Sequence, residues 1–146
     1  MKKDLSGAIC LLQGGAYTCA LYKDGKAYTS SERGILPLLK WVLAKAPLQG
    51  FSAADKVVGK AAAFLYALME VDGVYAQVMS EGAYQTLLRH GIQPFYGLRV
   101  PGIINRTGDG PCPMEQAVRD VQNAGEALVR IQETLAAITQ QRNKLG

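Results

Sequence analysis

Residues 74–100 constrain the fold more than any other stretch of this chain. Residues 74–79, Val-Tyr-Ala-Gln-Val-Met, read as a strand. Ser80 or Glu81 then opens a helix that runs to His90 and is closed by Gly91. Residues 93–100 read as the next strand. Strand, helix, strand with short joints is a crossover unit. Its two strands should therefore be parallel, and the connection right-handed.

Upstream, Lys23-Asp24-Gly25-Lys26 is a hairpin turn, because Asp-Gly accepts the positive φ that tight hairpins need. It joins strands expected at residues 16–22 and 27–30. That antiparallel pair beside the parallel pair makes the sheet mixed, with helices on its faces. Asp4 caps a helix that stops at Gly14-Gly15, and residues 35–44 form an amphipathic helix carrying Trp41. Ser52 and Asp55 read as a capping box opening one largely buried helix over residues 52–70. Its apolar positions include Ala54, Val57, Val58, Ala61, Ala62, Leu65 and Met69. Gly59 inside that helix costs about 1 kcal/mol against alanine, so a backbone or a ligand should approach closely there.

After Cys112 a long helix carries Val121, Ala124, Leu128, Ile131, Leu135 and Ile138 at heptad spacing. The expectation is an α/β domain over residues 1–120. Residues 121–146 form a helix that docks on the domain or on a second copy, so a homo-oligomer is expected.

The 146 residues suffice for one real core, and 49% hydrophobic with 19% charged residues excludes a disordered chain. Net charge is only +4 and the basic residues are scattered, so nucleic-acid binding is not indicated. No stretch is long enough to span a membrane, and the apolar run at residues 8–12 is too short for a signal peptide. Cys10, Cys19 and Cys112 have no metal-ligand spacing and cannot all pair, which fits a reducing cytoplasm.

Residues 105–115, Asn-Arg-Thr-Gly-Asp-Gly-Pro-Cys-Pro-Met-Glu, cannot be a helix interior or a central strand. The loop is rigid at its prolines, permissive at its glycines and dense in reactive types, which suits a functional site.

The order helix, hairpin, helix, strand, helix, strand, helix is that of the cytidine-deaminase-like fold. The chain resembles an uncharacterised bacterial branch of that superfamily, domain of unknown function 1893. The residues that carry the resemblance are Asp55-Lys56-Val57-Val58-Gly59-Lys60-Ala61-Ala62, Val78-Met79-Ser80-Glu81, Ile104-Asn105-Arg106 and Cys112-Pro113-Met114-Glu115. It covers most of the chain, to about Val121. It implies an α/β three-layer sandwich with a mixed sheet and a long C-terminal helix.

True deaminases take zinc from a His or Cys, with a Glu, at one helix start and a Pro-Cys-x-x-Cys at the next. Residues 55–60 hold no His, Cys or Glu, and residues 80–84 hold no cysteine. Cys112-Pro113-Met114-Glu115, preceded by Pro111, imitates the second string one strand too late, with Glu115 in place of its second cysteine. His90 lies at the far end of its helix. No metal and no cofactor are expected, and zinc deamination is disfavoured.

In open α/β sheets ligands bind beyond the carboxyl ends of the parallel strands. The Asp55 helix start, Ser80-Glu81 and residues 101–115 should converge there. Lys60, Ser80, Glu81, Asn105, Arg106 and Asp109 are then candidates for holding a small anionic ligand such as a nucleotide. The alternative is a non-zinc enzyme with Cys112 as nucleophile and Lys60 or Asp55 as base. A structural or regulatory homo-oligomer is the third reading. Each candidate also has a plain structural role, Asp55 and Glu81 as first-turn acids and Asp109 as turn chemistry.

Overall fold

The computed structural model describes residues 3–105, 108 and 110–145, the last three by backbone alone. Strands β1 (Cys19–Lys23) and β2 (Lys26–Ser30) form the expected hairpin. Asp24 and Gly25 both have positive φ, 48° and 82°, which fits the turn to the twist of the strands. The hairpin turn is also tied to α1 (Lys3–Gln13), because the Asp24 amide donates to Asp4 Oδ1 at 3.2 Å.

β1 pairs antiparallel with β3 (Ser52–Val58). β3 pairs parallel with β4 (Gly73–Ser80), and β4 pairs parallel with β5 (Gln93–Val100). The five-stranded mixed sheet runs β2-β1-β3-β4-β5. Between the strands stand α2 (Leu36–Leu43), α3 (Lys60–Met69) and α4 (Glu81–Arg89).

Neighbouring strand residues go to opposite faces, as the pleat requires. Ala54 packs with Ala8 and Leu12 of α1 and with Tyr22 and Tyr75. Leu21, Ala53, Val74 and Ala76 belong to the larger core with Leu38, Phe64, Leu65 and Leu87 of the other helices. The sheet is thus sandwiched between α1 on one face and α2, α3 and α4 on the other.

Two expectations are corrected. Residues 52–70 are not one helix. They are strand β3, the single residue Gly59 and helix α3. The Ser52–Asp55 capping box does not form, because both residues lie within β3. The second correction concerns the C-terminus. The helix after Cys112 is two helices, α5 (Pro113–Ala117) and α6 (Ala124–Leu145). Asn123 Oδ1 accepts the Glu126 amide at 3.1 Å, so Asn123 caps a new helix after a break. Val121, Ala127 and Ile131 are buried in the domain core, with Leu128 and Leu135 packed beside them. Among the described residues no helix is long and apolar enough to cross a membrane.

Candidate anion site at the start of helix α3

Strands β3, β4 and β5 are parallel, so their carboxyl ends lie along one edge of the sheet, where α3 and α4 begin. The backbone amides at those helix starts have no partner within their own helix. At α3 one partner comes from far along the chain. The Lys60 amide donates to Glu115 Oε2 at 3.0 Å.

Gly59 makes room for that carboxylate. A Cβ placed on Gly59 would lie 1.4 Å from Glu115 Oε1 and 3.0 Å from Ile103 Cγ1. The backbone of Gly59, at φ −97° and ψ −178°, is extended and open to any residue. Space, not conformation, requires a glycine here. Burial pushes the Glu115 carboxyl up to about 7, against the pull of the Lys60 amide, the Lys60 charge and the Ala61 amide.

The Lys60 side chain runs elsewhere. Its Nζ donates to the Arg119 carbonyl at 2.8 Å and lies 5.8 Å from the centre of the Phe64 ring. Burial lowers its pKa, and the Arg89 charge adds to that, against Asp120 and Glu115.

The start of α4 lies alongside, since a Cβ on Gly82 would sit 3.5 Å from Lys60 Cβ. Ser80 caps α4 by accepting the Ala83 amide at 3.0 Å. Glu81 pairs with Arg99 Nε at 2.9 Å, and the Arg99 guanidinium lies 4.4 Å from the centre of the Tyr84 ring.

The third segment closes on itself. The Cys112 amide donates to the Ile103 carbonyl at 3.0 Å, and the Asn105 amide to the Gly110 carbonyl at 2.8 Å. Half-buried Cys112 stands at the N-cap of α5.

Over residues 7–135 the chain matches the family described as TM1506, domain of unknown function (DUF1893). It belongs to the DUF1893 family. Its fold is similar to the crystal structure of a DUF1893 family protein, TM1506, from Thermotoga maritima. That likeness has a TM-score of 0.81 at 25% sequence identity and covers 94% of this chain and 92% of the other. A comparison with the curated proteins found no match.

In this DUF1893 chain the three segments meet at the start of α3. Glu115 fills the start of α3. A groove of about 290 Å³ lies instead near the far end of α3, lined by Trp41, Lys45, Leu68 and Glu70 among others, and it contains none of the candidate residues.

Asp55 stands apart from the helix starts. It is a β3 residue paired in register with Cys19, and its Oδ2 accepts the hydroxyl of buried Tyr66 at 2.7 Å. Burial pushes Asp55 up to about 7, against the hydrogen bonds from Tyr66, Val57 and Lys56. It does not cap a helix, because a strand residue faces no free helix amides. Arg106 and Asp109 lie outside the described residues.

Cys10 is exposed on α1, although it sits in an apolar run. Cys19 is buried, and burial together with the Asp55 charge pushes its thiol up to about 12.

Zinc does not fit the helix starts. After Gly59 comes Lys60-Ala61-Ala62, and after Ser80 comes Glu81-Gly82-Ala83, so neither supplies a His or Cys. Among the described residues no group of three or more His, Cys, Asp or Glu could hold a metal ion.

Sequence reasoning missed the partnership of Glu115 with Gly59. The available signal was Gly59 itself, a glycine whose neighbours gave no turn to explain it.

Proposed function

We propose that this chain binds a small anionic molecule, such as the phosphate of a nucleotide, at the start of α3 on a deaminase-like scaffold without zinc ligands. The observation that carries the reading is that the first turn of α3 already holds a carboxylate. The Lys60 amide donates to it at 3.0 Å over a residue with no side chain. Helix N-termini favour anions through free amides and the helix dipole together. The position beyond the ends of parallel strands is where open α/β sheets take ligands. Resemblance to the deaminase-like superfamily, whose enzymes read nucleobases, favours a nucleotide over a bare inorganic ion. A ligand phosphate would take the place of the Glu115 carboxylate.

Two substitutions at Lys60 separate the amide from the ammonium. Lys60 is the first helical residue, where proline is tolerated, and Gly59 before it is extended as proline requires. Lys60→Pro removes both the donor N–H and the side chain, while Lys60→Met removes only the charge. Melting temperature should rise with added adenosine monophosphate in the natural protein, in step with the logarithm of its concentration once the site is filled. The rise should be smaller in Lys60→Met and absent in Lys60→Pro. A natural protein whose melting is indifferent to both the nucleotide and inorganic phosphate would overturn the reading.

A further inference from the structure

We propose that α5 is an internal gate, with Glu115 acting as a tethered competitor that must leave the start of α3 before an external anion can bind. The inference rests on the anion-binding reading and adds how that site is controlled.

The first support is the fit of the occupant. The Glu115 carboxylate bonds the Lys60 amide, and its second oxygen fills the space left by the missing Cβ of Gly59. A ligand anion bonding that amide would need the same volume, so the two exclude each other.

The second support is how lightly α5 is held. This helix has five residues, and none of them is fully buried. Met114 and Ala117 are only partly buried against the core. The Gln116 side chain donates to the Pro111 carbonyl, a bond within the same segment. By contrast Val118, the residue after α5, is 0% exposed and Val121 is 4% exposed. On the upstream side the Cys112 amide is fixed to the Ile103 carbonyl.

The segment is thus anchored firmly at Val118 and held at its upstream end by the short antiparallel bridge between Ile104 and Pro111. Glu115 supplies its polar contact with the helix start. Segments with few buried apolar contacts open at low cost, and lids are drawn from them. Pro111 and Pro113 stiffen the segment, which lets it move as a unit.

The third support is the neighbouring cation. Lys60 Nζ donates to the Arg119 carbonyl just beyond α5. That carbonyl lies beyond the Val118 anchor, so the ammonium keeps its place near the start of α3 while α5 opens.

The test is calorimetric titration of adenosine monophosphate into the natural protein, Glu115→Ala and Glu115→Gln. The apparent affinity of a site that is mostly closed falls by the fraction that is open. Glu115→Ala should therefore bind about tenfold or more tightly than the natural protein. Glu115→Gln can still accept the Lys60 amide through its amide oxygen but carries no charge, so it should fall between the two. It also serves as the gate variant if Glu115→Ala does not fold. Equal affinity in all forms, or weaker binding when Glu115 is replaced, would overturn the gate and leave the anion site standing. If no form binds adenosine monophosphate or inorganic phosphate, the anion site itself fails, and the gate with it.

Discussion

Gly59 and Glu115 lie far apart in the sequence but occupy one volume. The carboxylate lies where any side chain on residue 59 would begin. Replacing Gly59 with alanine therefore forces Glu115 away from the Lys60 amide or shifts β3 against Ile103. Overpacking of this kind costs about 1–3 kcal/mol. The backbone angles of Gly59 suit alanine, so little of the loss should be conformational. In a Glu115→Ala background the same substitution should cost no more than a few tenths of a kcal/mol by the logic of a double-mutant cycle. Urea unfolding of the four forms measures this. A loss from Gly59→Ala of the same size in both backgrounds would show that residue 59 answers to something other than Glu115. Asp55 is a useful contrast. It too is a carboxyl pushed to about 7 by burial, yet its partner is the Tyr66 hydroxyl, and its work is to satisfy polar groups between β3 and α3.

Among the elements, those set by local chemistry could be read in advance. The hairpin followed from Asp24-Gly25, and the β4-α4-β5 crossover from a strand period, the Ser80 cap and Gly91. β3 could not be read this way, because it packs on both faces. Ala53 and Ala54 are both buried and serve opposite layers, so the alternation that marks a half-buried strand is missing. Followed directly by the apolar start of α3, the run takes on a helical look. The candidate site was legible only as a neighbourhood, from the rule about strand ends. The contact that defines it joins residues 55 positions apart, and no local pattern reports such a distance. The heptad pattern of α6 was legible, and much of it is used within the domain. Ile131 is 0% exposed, whereas Val129 on the same helix is 51% exposed. Ile131→Ala should cost about 2–5 kcal/mol, as core truncations do. Val129→Ala should stay within about 0.5 kcal/mol. Chemical unfolding checks both, and equal effects would contradict the docking of α6 on the core.

Across the whole molecule, the C-terminal part of the chain closes over one helix. β5 ends at the edge where α3 and α4 begin. The chain then returns through Ile103 and Cys112, sets Glu115 on the start of α3, anchors at Val118 and lays α6 along the same helix. α3 is therefore held at its first turn by the Glu115 hydrogen bond and along its side by apolar packing. The central claim is that the first amides of α3 are an anion site which Glu115 holds in reserve. Amide NMR of the Glu115→Ala protein, titrated with adenosine monophosphate, observes those groups directly. The account predicts that the Lys60 and Ala61 amide signals move saturably, with the largest shifts in the protein. Saturable binding that leaves both signals in place would contradict it.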